Sequence, residues 1–260
     1  MSIISSEDSE ILKVSELELS YGQHVVLRDL NFSVKKGECM AIMGSSGCGK
    51  STLLKSMIGL LKPHSGEILI GGMPLWGSEQ ELNTAVARSF GVLFQGSALW
   101  SSMTLLENVL LPLETFSKLS SRERRDLAYY KLSLVGLSGS ESLYPSQLSG
   151  GMKKRAGIAR ALALDPQILF FDEPSAGLDP VNCQILDELI IDLKNNLGLT
   201  FVIVSHDLQS IFSISDHAVF LSASSKTMLA QRKTADLLSQ DVDPELSAFL
   251  KSYRSMEVSG

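Results

Sequence analysis

Apolar and polar positions alternate along ILKVSELELS (residues 11–20) and VVLRDLNFSV (25–34), which predicts two half-buried strands on either side of a turn at Tyr21–Gly22. ECMAIM (38–43) is a short apolar run instead, the texture of a strand buried on both faces. FGVLF (90–94), ILFFD (168–172), TFVIVS (200–205) and HAVFLSA (217–223) read as further strands, and GEILI (66–70) as a shorter one. Between them lie helical patterns. One follows GSSGCGKS and runs through Leu61. SEQELNTAVARS (78–89) begins with a capping box, Ser78 with Glu81. SRERRDLAYYKLSLVGL (121–137) is closed by Gly136, and VNCQILDELIIDLKNNLG (181–198) is amphipathic and ends in glycine. DLQSIFSIS (207–215) is a further helix. Strands that alternate with helices imply a largely parallel sheet covered on both faces.

Two stretches break this rhythm. From Ser97 to about Leu148 the strands disappear and the pattern is helical, as in TLLENVLLPL (104–113), so a helical subdomain is expected as an insertion over about 97–155. From Asp236 onward the tail is helical and appended. Its Leu246, Phe249, Leu250 and Tyr253 recur at helical spacing, and such a stripe needs a surface to cover it. That surface is either a sister subunit or partner, or the chain's own domain. The expected division is a main domain over 1–240 and a tail over 241–260 that serves as a dimer or partner contact.

Composition narrows the class. A chain of 260 residues with 44% hydrophobic and 20% charged residues is an ordinary folded domain with an ordinary core. Its net charge of −6 argues against nucleic acid as a partner. The three cysteines make no disulfide framework, the opening MSIISSEDSE is no secretory signal, and no apolar run reaches the about 18 residues of a membrane helix. A cytosolic or cytosol-facing location is expected.

The chemistry concentrates at strand ends. GSSGCGKS matches the P-loop pattern, with a strand before it and a helix after it. Gly44, Gly47 and Gly49 allow the backbone to fold around phosphate oxygens, with Ser45, Ser46, Cys48 and Thr52 completing the loop. Lys50 is placed to reach the β- and γ-phosphates and Ser51 to ligate Mg²⁺. Cys48 has no evident role beyond possible alkylation there. In ILFFDEP, Asp172 ends a buried strand and suits a metal shell, and Glu173 points elsewhere and suits orienting or deprotonating a water. His206 closes TFVIVS and can hydrogen-bond a γ-phosphate and the water. Gln95 closes FGVLF, where its amide can ligate Mg²⁺ or hold the water. A second anion site then stands out at Ser149, Gly150 and Gly151, two glycines at a helix start followed by basic residues.

Together these residues resemble the nucleotide-binding subunit of ATP-binding cassette transporters, over roughly residues 11–235. The resemblance rests on LSGGM (148–152) beside the P-loop and ILFFDEP. It implies an α/β P-loop NTPase (RecA-like) core with a mixed sheet, an antiparallel β subdomain and an inserted helical subdomain. It implies ATP and Mg²⁺ as cofactors and a homodimer that pairs head to tail. In that arrangement Ser149, Gly150 and Gly151 of one subunit cap the ATP held by the other, which gives the second anion site its purpose. The carried-over roles are catalytic for Glu173, His206, Lys50 and Gln95, metal-binding for Ser51, Gln95 and Asp172, and adenine stacking for Tyr21, although an aromatic beside a turn is as readily a packing residue. Ser175–Asp179 resembles the loop that touches the partner subunit.

LFQGSALWSSMTLLENVLLPL (93–113), YPSQLSGGMKKRAGIARALALDP, SISDHAVFL and DPELSAFL resemble more narrowly the ATPase of MCE-type phospholipid transporters, which maintain outer-membrane lipid asymmetry in Gram-negative bacteria. That resemblance implies an integral membrane permease, an MCE lipid-binding protein and a small STAS-domain protein as partners, at the cytoplasmic face of the inner membrane. Gly96–Trp100 departs from the family's usual S-G-A-L-F order but keeps an aromatic. Leu99 and Trp100 are expected either at the permease contact or in the core of the helical insertion. The alternative function is import of a small solute such as an amino acid. A soluble DNA-repair or ribosomal cassette fits poorly, since the chain has one cassette and only about a hundred residues between P-loop and signature.

Overall fold

The computed structural model describes residues 10–77, 81–238 and 243–257, and of 252–257 the backbone alone. Two long strands, β1 (Glu10–Tyr21) and β2 (His24–Lys35), form an antiparallel hairpin whose turn has Gly22 at φ 60°. They join β4 (Ser65–Ile70) and β5 (Met73–Pro74) in a sheet of order β2-β1-β4-β5. The second sheet contains β3 (Cys39–Gly44), β6 (Phe90–Leu93), β7 (Ile168–Asp172), β8 (Thr200–Val204), β9 (His217–Ser222) and β10 (Thr227–Lys233). Its order is β10-β9-β3-β8-β7-β6. All neighbours are parallel except β10, which returns antiparallel on β9. The expected mixed sheet with an antiparallel β layer is present.

The apolar runs in the central strands are explained by layers on both faces. Ile168, Phe170, Val202 and Val204 face the antiparallel sheet and α1 (Lys50–Met57), whereas Leu169, Phe171, Phe201 and Ile203 face the helical layer. The period of two along each strand sorts the side chains. The helical layer consists of α3 (Leu105–Phe116), α4 (Ser121–Leu134), α5 (Gly150–Ala161) and α6 (Pro180–Leu197). Both α3 and α4 start with capping boxes, Thr104 with Glu107 and Ser120 with Glu123. α6 is capped by Asp179, starts with Pro180 and ends at Gly198 with φ 63°.

Four local expectations change. The helix over 78–89 contracts to α2 (Thr84–Ala87), because Asn83 caps it from inside and the preceding chain is held as a Trp76–Leu82 bridge. Glu81 accepts the Gly77 N–H through its backbone carbonyl, and the capping partner Ser78 lies outside the described residues. The helix after the P-loop stops at Met57 rather than Leu61, since Gly59 turns at φ 77° and the Lys55 carbonyl takes the N–H groups of Leu60 and Leu61. TMLAQRK forms β10, whose hairpin pairing with β9 has no alternation to announce it.

The fourth change concerns the tail. α8 (Pro244–Glu257) lays Leu246 and Leu250 into a buried cluster with Met43, Phe220, Ile211 and α7 (Leu208–Ile214), and Phe249 tilts against Phe220 at 5.4 Å. The stripe expected to await a partner is covered by the chain's own domain along these three residues; the Tyr253 side chain lies outside the described residues. Its Glu245 carboxylate also accepts from Ser222 Oγ (2.7 Å), Ser224 Oγ (2.9 Å) and the Ala223 N–H (3.2 Å). Leu250→Ala therefore costs the isolated chain about 2–5 kcal/mol, measured by urea unfolding. A tail that served only a partner would leave the unfolding midpoint unchanged.

Candidate functional site

Neighbouring parallel strands deliver the predicted residues to one edge. Gly44 ends β3, His206 follows β8, Asp172 ends β7 and Gln95 follows β6. Pairing of Ile42 with Val204, and of Val204 with Asp172, sets them at one level. This is the carboxyl edge of a parallel sheet, where ligands bind in open α/β folds.

In the loop, Gly44, Gly47 and Gly49 adopt φ of 150°, 79° and 103°. A Cβ at Gly44 would stand 2.5 Å from the Leu221 carbonyl oxygen, and one at Gly49 would stand 2.8 Å from Leu27 Cγ. Glycine is thus required there by packing as well as by conformation. Lys50 Nζ donates to the carbonyls of Gly44 (2.8 Å) and Ser45 (3.1 Å), which curls the loop around its own ammonium. Ser46, Gly47 and Ser51 are exposed and Ser45 and Thr52 are half-buried. A turn of backbone that leads into a helix, with a lysine at its centre, is a fitting cradle for phosphate oxygens. Cys48 is buried, and burial pushes its thiol up against the pull of Lys50, which disfavours the thiolate on which alkylation depends.

The acidic side is tighter. Burial first, and then Glu173, raises the Asp172 carboxyl above its usual range, with Lys55, Lys154 and Lys50 opposing. A half-buried Asp172 whose charged form is disfavoured by its surroundings is a fitting place for a cation. Glu173 has φ 47°, a left-handed backbone unusual for a long side chain, and its N–H bonds to the Val204 carbonyl at 2.9 Å. Its Oε2 is buried and lies 2.8 Å from His206 Nδ1. The imidazole N–H is not aimed at that oxygen, so the pair is in contact without an aligned hydrogen bond and the oxygen keeps acceptor capacity for another donor.

Ser149, Gly150 and Gly151 sit elsewhere. Ser149 caps α5 by accepting the Met152 N–H at 3.2 Å. A Cβ at Gly150 would meet Leu178 at 3.3 Å, and one at Gly151 would meet Asn182 Oδ1 at 2.4 Å. The signature glycines therefore lie against Leu178 of the Ser175–Asp179 loop and Asn182 of α6. Tyr21 is 51% exposed at the β1–β2 turn. Leu99 is half-buried against the helical core, and Trp100 is 58% exposed, so the tryptophan is no core filler.

Residues 27–176 match the ABC transporter family model. The chain is 40% identical over 243 residues to the probable ribonucleotide transport ATP-binding protein mkl of Mycobacterium tuberculosis, covering 94% of this chain and 67% of that one. It is 39% identical over 244 residues to the intermembrane phospholipid transport system ATP-binding protein MlaF of Haemophilus influenzae, covering 94% of this chain and 91% of MlaF. The chain belongs to the ABC transporter family. Among solved structures it resembles the cassette MJ0796 in a post-hydrolysis dimer with ADP and Pi, with a TM-score of 0.75, 31% identity, and coverage of 86% of this chain and 98% of that one. This ABC subunit is accordingly a nucleotide-binding ATPase. Among its described residues no helix is long and apolar enough to cross a membrane.

Three contributors to the cassette's edge escape motif reading. Lys154 is buried in α5, and its ammonium bonds to the carbonyls of Gln95 and Glu173. Its register is the signal that could have found it, since it stands three residues after Gly151 and four before Ile158, both buried. Arg160 holds the Gln95 loop through the carbonyls of Ser97 (3.1 Å) and Ala98 (2.5 Å). Asp187 is the third. It is buried on α6, accepts from Ser210 Oγ at 2.8 Å beside the His206–Asp207 turn, and has its carboxyl pushed up to about 6 by burial, with the Ser210 bond opposing and Asp207 adding. Between pH 3.8 and about 6 the folded cassette holds a proton that the unfolded chain releases, so stability at this site falls as pH rises through that window. Asp187→Asn removes the loss. It should stabilise the subunit by about 1–3 kcal/mol at neutral pH and flatten this part of the pH dependence, as read from thermal melts across the window.

Proposed function

We propose that this ATPase subunit works as a head-to-tail homodimer on a membrane permease and drives phospholipid transport at the cytoplasmic face of an inner membrane. The observation that carries the catalytic part is the Glu173 carboxylate, its Oε2 buried, held by a left-handed backbone and touching His206 at the carboxyl edge. Glu173 orients and deprotonates the water that attacks the γ-phosphate, and His206 steadies the carboxylate and meets the phosphate. Lys50 and the amides of Gly44–Ser51 hold the phosphates, and Tyr21 stacks on adenine. Ser51, Asp172 and Gln95 would hold a Mg²⁺ ion, which supplies charge neutralisation on the phosphates when bound.

Support for a composite site comes from Gly150 and Gly151. Their close neighbours are Leu178 and Asn182, so the bare amides at the α5 start are offered, with the Ser175–Asp179 loop, to a second subunit. The relative MJ0796 is a dimer with ADP and Pi. Glu173→Gln keeps the size of the side chain and removes its basicity. Turnover should fall at least about a hundredfold while ATP binding persists and a nucleotide-filled dimer accumulates. Near-normal steady-state hydrolysis by the variant would remove Glu173 from this role.

The permease reading is supported by Trp100, an exposed aromatic directly after the Gln95 loop, and by an apolar groove of Phe90, Val92, Leu111, Pro112 and Phe116 that Arg160, the residue that holds that loop, also lines. Trp100→Ala should abolish co-purification of the permease while leaving the Tm of the isolated subunit within about 2 °C. Retention of the permease by the variant would clear Trp100 of docking.

The phospholipid cargo, the MCE protein and the STAS-domain protein rest on the similarity to MlaF. Comparable similarity to mkl favours a second reading, import of a small solute such as a ribonucleotide. Purification from native membranes with identification of the stoichiometric partners separates the two. A lipid-binding MCE protein supports the first and a soluble solute-binding protein the second.

A further inference from the structure

Lys154 is only 5% exposed, and its ammonium reaches two backbone carbonyls, that of Gln95 at 2.7 Å and that of Glu173 at 3.1 Å. Burying an ammonium is unfavourable, and an apolar side chain of similar length would fill the space without that cost. Packing alone therefore gives no reason for a lysine here. Its two acceptors belong to the loop after β6 and the turn after β7, and its own backbone belongs to the helix that starts at Ser149.

That helix already carries the Gln95 loop. Arg160 donates to the carbonyls of Ser97 and Ala98, two consecutive residues with φ of 61° and 47°. The absent side chain of Gly157 admits Leu93 and Ser97, since a Cβ there would stand 2.6 Å from Leu93 Cδ1 and 3.3 Å from Ser97 Cβ. Lys154 and Arg160 are separated by about 9 Å along the helix, so the loop is gripped at both ends. Residues 95–98 and α5 form one piece. Glu173 is held differently. Its left-handed backbone is fixed by its own N–H to Val204, and its carbonyl receives the Ala176 N–H (3.2 Å) and Lys154. Lys154 is thus the bond by which the piece made of α5 and the Gln95 loop grasps the peptide that aims the Glu173 carboxylate.

We propose that Lys154 is a positioning residue that couples the seating of the signature helix to the orientation of Glu173, so that the carboxylate is set for attack only while α5 is docked against the β7 turn. The inference rests on the reading of Glu173 as the general base. Both bonds run to main-chain oxygens, so the coupling depends on the lysine and not on the side chains at 95 and 173. An arginine retains a buried cation with several donors, whereas methionine retains the volume and loses both bonds.

The test uses the full chain in its membrane complex. Lys154→Met should lower kcat at least about tenfold with the KM for ATP within about twofold of the parent, the signature of an interaction that matters after binding. Lys154→Arg should recover kcat to within about threefold of the parent. Single-turnover cleavage of radiolabelled ATP is then compared between Glu173→Gln and the Glu173→Gln, Lys154→Met double variant. If Lys154 acts through Glu173, the second substitution changes the residual rate by less than about twofold. A folded Lys154→Met complex with parental kcat overturns the proposal. So does a loss confined to KM, a failure of arginine to rescue, or a loss that multiplies in the Glu173→Gln background. Lys154→Gln, shorter and uncharged, is carried in parallel and is judged by the same criteria if the methionine variant does not fold. Glu173→Gln alone, if it hydrolyses ATP normally, refutes the base assignment independently of Lys154.

Discussion

Every feature of the catalytic edge depends on the register of the parallel ladders joining β3, β8 and β7. Because Val204 pairs with both Ile42 and Asp172, the P-loop, the histidine turn and the acidic turn leave the sheet together. A slip of one residue in β7 would exchange its two faces. The aromatic side chains forbid it. Phe170 meets Phe90 edge-on at 5.3 Å on one side of the sheet, and Phe171 meets Phe201 at 5.4 Å on the other. Each such pair adds about 0.5–1.5 kcal/mol beyond burial, and a slip of one residue would keep a phenylalanine on one face only, losing the other pair and carrying Leu169 or Asp172 into its place. The geometry around Glu173 is therefore decided by aromatic packing within the strand that precedes it.

A second level of organisation lies on top of that scaffold. The helical layer does not merely cover the sheet; α5 reaches the catalytic edge with charged side chains that bond to main-chain carbonyls. Close approach makes this possible. Gly91 lets β6 come against the Ala161 carbonyl, where a Cβ would stand 2.3 Å away, and Gly157 does the same for the Gln95 loop. At the opposite end of the sheet, buried Lys131 of α4 pairs with Asp165, whose φ is 52°. Basic side chains thus bind the helical layer to the core at both ends, through bonds whose geometry is more directional than apolar contact.

How much of this was legible follows from the range of the interactions involved. The P-loop, the two acids after ILFF and the histidine after TFVIV are local patterns, in which each strand and its following turn are contiguous in sequence, so the residues and their common edge could be read directly. The alternation of strands and helices gave the sheet class for the same reason. The helix expected over 78–89 is cut short because Trp76 and Leu82 pair as an antiparallel bridge, and that pairing outcompetes helical propensity. β10 was invisible because an edge strand at a hairpin need not alternate. Lys154 was only one of the basic residues that follow the two glycines, since its burial depends on loops 59 and 19 residues away in sequence. The tail stripe was visible as a stripe, but what covers it is set by Met43 and Phe220, far back in the chain.

The covering of β3 by α8 also has a consequence for synthesis. Met43 belongs to the strand that leads into the P-loop, yet its outer face is completed by Leu246 and Leu250, some two hundred residues later. A ribosome releases these side chains some two hundred residues after the P-loop strand, so the nascent strand spends that stretch of elongation without them on its flank. Long-range closure of this kind delays the final collapse and exposes unfinished chains to chaperones and proteases.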